Sequence, residues 1–296
     1  MDSDPTEGPP AGTAERGGAL APGLYLVATP IGNARDISLR ALDVLARADI
    51  LAAEDTRTTG HLLEIHGIRR GRLLPYHDHN GAAQRPRLLA ALAEGRSVAL
   101  VSDAGTPLVA DPGYRLAAEA AAAGHRVTAV PGASALLAAL SVAGLPTDRF
   151  LFAGFLPPRQ SARRRALAEL AAVPATLVFY ESPRRLAAAL ADMAGTLGAA
   201  RPAAVCRELT KRFEETRRAP LGELAEAYAA VPEVRGEVVV LVGGPVAVPV
   251  AADVLDAALE AALAGQSVRD AAAAVAAALG LPRREVYARA LELSRR

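Results

Sequence analysis

The sequence predicts two α/β domains followed by a C-terminal helical tail, with a parallel doubly wound sheet in the first domain and a mixed sheet in the second. Three observations predict this fold class. Short apolar segments alternate with helix-length segments up to residue 145, strand-like segments follow with few helices between them, and three helical segments close the chain. The expected divisions are a disordered N-terminal tail over 1–22, domains over 23–145 and 146–244, a linker over 245–252 and a helical module over 253–296.

The first domain is predicted from short, almost continuously apolar segments, which are typical of strands covered on both faces of a parallel sheet. The predicted strands are Leu24–Ala28, Ile50–Ala53, Leu73–Tyr76, Val98–Val101 and Val127–Val130. Helical spacing of apolar residues, or alanine-rich composition closed by a glycine, predicts helices over 38–48, 59–66, 86–94 and 113–123, and one starting at Ala133.

The second domain and the tail are predicted from the same signals. The expected strands are Phe150–Phe155, Thr176–Tyr180, Ala203–Arg207, Arg212–Thr216 and Glu237–Val242, with helices over 161–171 and 183–194. Ser182 before Pro183 is predicted to cap the second of these helices. The tail is expected to hold helices over Asp253–Leu263, Val268–Leu279 and Arg283–Leu293, the last two joined by a turn with helix-turn-helix spacing.

Composition excludes several classes of protein. The 296 residues are 51% apolar, enough for two cores, and no uncharged apolar run reaches the roughly 20 residues that a membrane helix needs. The single cysteine, Cys206, allows neither an internal disulfide nor a cysteine zinc site. No basic region followed by a long apolar run opens the chain, so the sequence predicts a soluble, cytoplasmic protein without membrane contact.

Two loops in the first domain indicate a binding site. Ser102, Asp103, Ala104, Gly105 and Thr106 follow the fourth strand, and Pro131, Gly132 and Ser134 follow the fifth. In an open parallel sheet these loops meet at the carboxyl ends of the strands, where ligands bind. Small residues, exposed backbone and one carboxylate suit a small ligand with an apolar ring and several hydrogen-bonding groups.

Other chemistries find less support in the sequence. No phosphate-binding GxxxxGK[ST] loop, no GxGxxG after a strand and no GxSxG nucleophile elbow occurs. The densest polar cluster is Tyr76–Asn80, in which His77 and His79 flank an aspartate. Such a pair can bind metal, but at a strand end it more often serves as hydrogen-bonding groups, so we expect no metal.

Basic residues gather in the second half of the chain. Residues 155–218 hold twelve Arg or Lys against six Asp or Glu, including the group Arg159, Arg163, Arg164 and Arg165 at the start of a predicted helix. This charge favours a polyanionic partner. Lys211 is the only lysine, beside 32 arginines, and lysine is the cation that can lose its proton when it is desolvated.

Six motifs together resemble a known family. They are Thr29–Asn33, Ala53–Arg57, His77–Asn80, Ser102–Pro107 with Asp111–Gly113, Gly144–Pro146 and Phe179–Ser182. In this order and spacing they closely resemble the ribosomal RNA small-subunit methyltransferase I family, a branch of the tetrapyrrole methylase superfamily (class III methyltransferase fold). The resemblance covers about residues 23–244, and the tail also looks like the helical extension of that family.

The resemblance implies a homodimeric enzyme that binds S-adenosyl-L-methionine in a cleft between its two domains. It implies 2′-O-methylation of a cytidine in the decoding region of 16S rRNA, with the small ribosomal subunit as partner. It also places the cofactor against the two loops described above, the turn Pro30, Ile31 and Gly32, and Ala135, Tyr180, Arg207 and Glu208. The superfamily has a glycine-rich first turn, and the Pro-Ile-Gly-Asn turn found here is shared with the rRNA branch.

A ribose hydroxyl is a poor nucleophile until its proton is being removed, so a base or a cation that stabilises the alkoxide is expected near it. The candidates for catalysis are Lys211, Glu54, Arg57 and Glu237, with Asp55 and Glu208 as further carboxylates. We favour Lys211 for stabilising the alkoxide or removing the proton, assisted by a carboxylate, and a plain phosphate contact by Lys211 stays open. Arg159, Arg163, Arg164 and Arg165 are expected to bind RNA.

Two alternatives remain at this point. A tetrapyrrole C-methyltransferase would share fold and cofactor, but its substrate would need a broad apolar cleft instead of the arginine group. A non-catalytic RNA-binding ribosome assembly factor on the same scaffold would not need the intact cofactor loops.

Overall fold

The first part of the chain forms a five-stranded sheet. Its strands are β1 (Gly23–Val27), β2 (Ile50–Ala53), β3 (Arg72–Pro75), β4 (Ser97–Val101) and β5 (Val127–Val130). All neighbours pair in parallel, in the order β3-β2-β4-β1-β5. The structure, a computed structural model, describes residues 18–69, 71–77, 79–245 and 252–295. The predicted parallel sheet is confirmed, with every strand end within one residue of its predicted position.

Four helices connect these strands, and a fifth follows β5 and leads to the second sheet. They are α1 (Leu39–Arg47), α2 (Thr56–Ile65), α3 (Gly81–Ala93), α4 (Tyr114–Ala122) and α5 (Ala135–Val142). The predicted start of α2 at residue 59 is wrong because Asp55 caps the helix earlier, its carboxylate accepting the Arg57 N–H at 2.8 Å. The predicted start of α3 at Pro86 is also wrong, since that proline lies inside the helix.

The second sheet is mixed, as predicted. Its strands are β6 (Phe150–Phe155), β7 (Thr176–Glu181), β8 (Pro202–Arg207), β9 (Glu215–Pro220) and β10 (Val238–Val242), in the order β6-β7-β10-β8-β9. Only β6 and β7 pair in parallel; the other neighbours are antiparallel. The predicted strand over 212–216 is wrong because residues 208–214 form a loop, in which Glu208 and Thr210 adopt left-handed φ values of 53° and 66°.

Three helices accompany the second sheet: α6 (Gln160–Leu170), α7 (Leu186–Leu197) and α8 (Leu221–Ala229). A single turn of 3₁₀-helix at Pro183–Arg185 precedes α7, and Ser182 makes no capping bond there through its side chain, contrary to the prediction. Sequence reasoning missed α8, although its buried residues Leu221, Leu224 and Tyr228 have helical spacing.

Apolar clusters cover both sheets. Two clusters pack against the first sheet, one around Leu24 and Leu116 and the other around Val27 and Leu45. A large cluster around Phe179 packs α6, α7 and α8 against the second sheet. A further cluster joins Ile31 and the buried residues of α5 to Val178, Cys206 and Val239 of the second sheet. The carboxyl ends of the first sheet are thereby held against the second sheet.

The tail forms helices α9 (Ala252–Leu263), α10 (Val268–Leu279) and α11 (Arg283–Leu293), as predicted. It has its own apolar core, which includes Leu259, Val275 and Val286. The described residues up to Gly244 form one compact unit and those from Pro245 onward a second. Residues 1–17 of the predicted N-terminal tail and residues 246–251 of the predicted linker lie outside the described residues. None of the described helices is long and apolar enough to cross a membrane.

Candidate active site

A cavity of about 370 Å³ opens at the carboxyl ends of β1, β4 and β5 and is closed on its far side by the second sheet. It is lined by Ile31, Ala104, Gly105, Thr106, Val109, Ala110, Asp111, Ser134, Ala135, Phe155, Tyr180, Glu181, Ser182, Pro183, Cys206, Leu209, Gly236, Glu237, Val238 and Val239. The cavity therefore lies where ligands bind in open parallel sheets.

Seven of the predicted cofactor residues line this cavity: Ile31, Ala104, Gly105, Thr106, Ser134, Ala135 and Tyr180. The other eight are not among the lining residues: Pro30, Gly32, Ser102, Asp103, Pro131, Gly132, Arg207 and Glu208. Several of these eight instead hold lining segments in place through the contacts described next.

Backbone contacts fix the wall contributed by the first sheet. Gly105 exchanges backbone hydrogen bonds with Thr29 at 2.9 and 3.0 Å, which joins the loop after β4 to the end of β1. Its φ is +83°, and a Cβ at this position would lie 3.3 Å from Ile31 Cγ2. The Thr106 hydroxyl donates to the Ala133 carbonyl at 3.1 Å. This wall therefore requires glycine at position 105 both for its conformation and for the space beside Ile31.

A carboxylate that the sequence prediction left out lies on the same wall. Asp111 lines the cavity and hydrogen-bonds closely with the Ser102 hydroxyl. Burial raises the pKa of Asp111, although the bond from Ser102 opposes the shift. Leu108 and Ala110, just before it, hold left-handed φ values of 72° and 61°. The motif Asp111–Gly113 was noticed in the sequence, but only the fold shows that this loop returns to the cavity.

The second sheet contributes an aromatic and apolar wall. Tyr180 is half-buried, and its ring packs edge-on against Phe152 and Phe155, with centroids 4.8 and 5.6 Å apart. Burial raises the pKa of the Tyr180 hydroxyl, so the group is a neutral hydrogen-bonding partner at physiological pH. Phe155 and Cys206 also line the cavity and were not predicted. Their strand positions carried no chemical signal, because a phenyl ring and a buried thiol are ordinary core groups.

Lys211 lies at the rim of the site, on the loop between β8 and β9, and is not itself among the residues that line the cavity. Its Nζ atom donates to Glu208 Oε1 at 2.8 Å and to Glu237 Oε2 at 2.9 Å. Desolvation lowers the pKa of Lys211, but the two carboxylates outweigh it and the net pKa lies above its usual value. Glu237 also lines the cavity, so the ion pair connects Lys211 to the pocket. Lys211 is accordingly a fixed, protonated cation at neutral pH.

The other predicted catalytic residues lie at the end of β2. Asp55 forms an ion pair of 2.6 Å with Arg57, and the Arg57 side chain is 90% exposed. Hydrogen bonds from Arg57 lower the pKa of Asp55 to about 2. The Asp55 N–H donates to Asp103 Oδ1 at 2.9 Å, linking this loop to the one after β4. Glu54 is half-buried, and neither Glu54 nor Arg57 lines the cavity.

The four arginines predicted to bind RNA differ in their exposure in the structure. Arg159, Arg164 and Arg165 are exposed at the start of α6. Arg163 is buried, and its guanidinium forms an ion pair of 2.5 Å with Asp192 of α7, whose side chain is 1% exposed. The prediction that Arg163 contacts RNA is therefore wrong, because its guanidinium is paired with Asp192 and its side chain is buried inside the protein.

The two histidines noted in the sequence lie beyond the end of β3, with ring centroids 6.0 Å apart. Asp78 between them lies outside the described residues. Within the described ranges, no group of three or more His, Cys, Asp or Glu side chains is arranged to hold a metal ion. Asn80 accepts the His77 N–H at 2.9 Å and donates to the Pro75 carbonyl at 3.1 Å, which shapes the turn before α3.

Comparison with known proteins identifies two family matches. Residues 23–225 match the Tetrapyrrole (Corrin/Porphyrin) Methylases, and residues 248–294 match the RsmI C-terminal HTH domain. Among the similar proteins, a ribosomal RNA small subunit methyltransferase I of Mesorhizobium japonicum is 59% identical over 224 residues, 76% of either chain. Proteins of the same name from Escherichia coli O157:H7 and Micromonospora olivasterospora are 51% and 48% identical, the latter over 89% of this chain and 85% of its own.

Solved structures support the fold. A diphthine synthase has a TM-score of 0.58 at 18% identity, over 74% of this chain and 89% of its own. A uroporphyrin-III C-methyl transferase from Thermus thermophilus, complexed with S-adenyl homocysteine, has a TM-score of 0.52 at 23% identity, over 75% of this chain and 97% of its own. Together with the sequence matches, these likenesses establish that the chain belongs to the ribosomal RNA small subunit methyltransferase I family of the tetrapyrrole methylases.

Proposed function

We propose that the protein transfers a methyl group from S-adenosyl-L-methionine to the 2′-hydroxyl of a cytidine in the decoding region of 16S rRNA. Family membership supports the methyltransferase activity and the rRNA substrate. The structural observation that supports the proposal for this protein is the cavity. Small residues form the wall that would contact the cofactor, and a cation, Lys211, lies at the rim.

The cavity fits the cofactor on its own geometry. A volume of about 370 Å³ is within the range of small-ligand pockets. Gly105 leaves space that a Cβ would fill, while Asp111, Ser134 and Tyr180 supply polar groups among apolar side chains. Ile31, Gly105, Thr106 and Tyr180 would hold the cofactor, which when bound supplies an activated methyl group on a sulfonium centre.

The chain's own residues prepare the acceptor hydroxyl. Because Lys211 is held protonated by two carboxylates, it is suited to stabilise a developing alkoxide and unsuited to remove a proton at neutral pH. Glu237, whose side chain is 72% exposed beside the cavity, is placed to accept that proton on its free carboxylate oxygen. The hydroxyl oxygen would gain the methyl group, the methyl–sulfur bond would break to leave a neutral thioether, and the hydroxyl proton would pass to Glu237.

The same proposal covers the partners. Arg159, Arg164 and Arg165 form an exposed basic edge for rRNA phosphates. The helical tail assists docking on the small subunit, consistent with its match to an HTH domain. We also propose a homodimer, supported by the exposed apolar side chains Leu137 and Phe213 outside the cavity, and a cytoplasmic location, where ribosomes are assembled.

A glycine substitution tests the cofactor site. Gly105→Val places bulk against Ile31 and should reduce cofactor affinity at least about 100-fold, as measured by calorimetric titration. Gly124→Val is the matched control, because Gly124 has a similar φ of +79° and no neighbouring atom within 4 Å of its Cβ position. Equal losses of cofactor affinity in the two variants would show that backbone strain alone explains the result, and would contradict the assignment of the cavity as the cofactor site.

The product tests the reaction. After incubation with radiolabelled cofactor and small ribosomal subunits, nuclease digestion and mass spectrometry should find 2′-O-methylcytidine. Label on a base carbon, or transfer only to a tetrapyrrole, would contradict the proposal. Tight RNA binding with no transfer would instead identify an assembly factor.

A further inference from the structure

The turn after β1 and the loop after β8 fit together at one point. A Cβ added to Gly32 would lie 2.5 Å from Lys211 Cγ and 2.8 Å from Thr210 Oγ1. The backbone of Gly32 is not in the left-handed region, so its conformation would accept alanine. Glycine is needed here for the space that the lysine side chain occupies.

Hydrogen bonds fix the same contact from both sides. The Asn33 N–H donates to Thr210 Oγ1 at 3.1 Å, and the Thr210 N–H donates to Glu214 Oε2 at 2.6 Å. Thr210 holds a left-handed φ of 66°. This strained loop conformation is kept where the surrounding contacts determine it, which is common at functional sites.

Glu208 closes the other side of the arrangement. Its Oε1 atom accepts from Lys211 Nζ at 2.8 Å and from the Glu237 N–H at 3.0 Å. A side chain on Gly236, whose φ is +91°, would collide with the Glu208 carboxylate. The Glu208 carboxylate therefore fixes the position of both the Lys211 ammonium group and the backbone just before β10.

We propose that Gly32 and Glu208 are positioning residues that form a seat for Lys211 and so aim its ammonium group at the acceptor hydroxyl. Gly32, which the family resemblance places in the cofactor wall, does not line the cavity. The role of Gly32 is to leave room for the aliphatic part of the Lys211 side chain, while Glu208 fixes its ammonium group. The role in aiming rests on the proposed function; the seat itself does not.

A double-mutant cycle tests the seat kinetically. Displacing Lys211 at Cγ carries Nζ with it, so Gly32→Ala should lower the single-turnover rate about tenfold while cofactor affinity changes less than about twofold. If Gly32 acts through Lys211, the same change in a Lys211→Ala background should cost less than about twofold more. Gly195→Ala is the control, because Gly195 lies in α7 with no atom within 4 Å of its Cβ position.

The single lysine permits a second readout that does not depend on activity. In protein grown with [13C]lysine and carrying no lysine in its tag, the Cε resonance reports Lys211 alone. The charged groups facing it are Glu208 and Glu237; the Gly32 turn contributes none. Glu208→Gln and Gly32→Ala should each move the titration of this resonance to lower pH, and Gly195→Ala should leave it unchanged.

The outcomes separate the inference from the proposed function. Two results would contradict the seat and place Gly32 in the cofactor wall. One is that Gly32→Ala still lowers the transfer rate about tenfold when Lys211 is already alanine. The other is that Gly32→Ala lowers cofactor affinity as much as it lowers the rate. An unchanged lysine resonance in both seat variants would do the same. Wild-type protein that makes no methylcytidine would refute the proposed function, while the resonance would still test the seat.

Discussion

Two cations held by carboxylates lie beside the second sheet, and they differ in what surrounds them. The Arg163 side chain is 5% exposed, and the guanidinium is enclosed with Asp192 between α6 and α7. The Lys211 side chain is 28% exposed and lies between Glu208 and Glu237, next to the cavity. Both were predicted from the sequence as functional cations, and the structure separates them.

The difference shows that pairing alone does not reveal what a charge does. A buried pair with all its bonds inside the protein fixes two helices together, because removing either partner leaves an unpaired charge without water. A partly exposed cation at a pocket rim can still face a third group, such as a developing alkoxide. Substitutions should therefore affect folding at the first site and chemistry at the second.

The largest expected effect is on stability. Asp192→Asn should lower the free energy of unfolding by about 3–5 kcal/mol, because Arg163 keeps its charge in a buried site. Chemical denaturation followed by circular dichroism measures it. An unchanged denaturation midpoint would contradict a structural role for the pair.

The same pair predicts a pH dependence. Burial raises the pKa of Asp192, but hydrogen bonds from Arg164, Arg163 and Gln160 outweigh that effect, so the pKa of the folded protein lies below the ordinary value of an aspartate carboxyl. A carboxyl whose pKa is lower in the folded protein than in the unfolded chain stabilises the folded state. This stabilisation is complete at pH values above the pKa of the unfolded chain, and it is lost as the pH falls through the pKa of the folded protein. Wild-type stability should thus fall more steeply below about pH 4 than that of Asp192→Asn.

The second effect is on chemistry. Lys211→Arg keeps the charge, but a planar guanidinium does not fit between Glu208 and Glu237 beside Gly32 as the ammonium does. The methyl-transfer rate should fall at least about tenfold, roughly 1.4 kcal/mol of barrier, with cofactor affinity nearly unchanged. Single-turnover assays across pH measure it, and transfer at the wild-type rate would remove Lys211 from the chemistry.

The first sheet was predictable because its strands are buried on both faces. Continuous apolar segments such as Val98–Val101 have few alternatives, and Gly95 and Gly124 mark where helices end. The edge strand β9 was placed wrongly because its sequence, Glu-Thr-Arg-Arg-Ala-Pro, is mostly polar and none of its residues is buried. Its position depends on pairing with β8, which a local pattern does not contain.

The site was predictable where it consists of loops after parallel strands, as at Ala104–Thr106 and Ser134. Arg163 misled because three consecutive arginines suggest one exposed surface. Helical geometry gave a warning, since Arg163 is four residues before the buried Leu167 and Asp192 is a lone acid in the apolar helix α7. The contact between Lys211 and Gly32 was not predictable, because 178 residues lie between them in the sequence and only the packing of the two sheets brings them together.

The third effect concerns RNA. Changing Arg159, Arg164 and Arg165 to Glu should weaken small-subunit rRNA binding about tenfold and flatten its salt dependence, because fewer phosphate contacts release fewer counterions. Filter binding at several salt concentrations measures both. Changing Arg69, Arg87 and Arg115, which are exposed elsewhere in the first domain, to Glu reverses the same number of charges and is the control for charge alone. Equal weakening by the control would mean that net charge and not this edge determines binding.

The smallest expected effect concerns two arginines that share one carboxylate, that of Asp192. Arg164 donates to the same carboxylate as Arg163, at 2.7 Å, but its side chain is 60% exposed. Arg164→Ala should therefore destabilise the protein by less than about 1 kcal/mol, as expected of exposed pairs. A loss as large as that of Asp192→Asn would show that exposure does not separate the two arginines.

The most direct test of the division between a folding cation and a catalytic one is a single-turnover methyl-transfer assay at saturating cofactor, well below the melting temperature of the least stable protein. Wild type, Asp192→Asn and Lys211→Ala are compared on small ribosomal subunits. Asp192→Asn should transfer within about threefold of the wild-type rate, and Lys211→Ala should be at least about 100-fold slower. Equal losses in the two variants, or wild-type transfer by Lys211→Ala, would contradict the account.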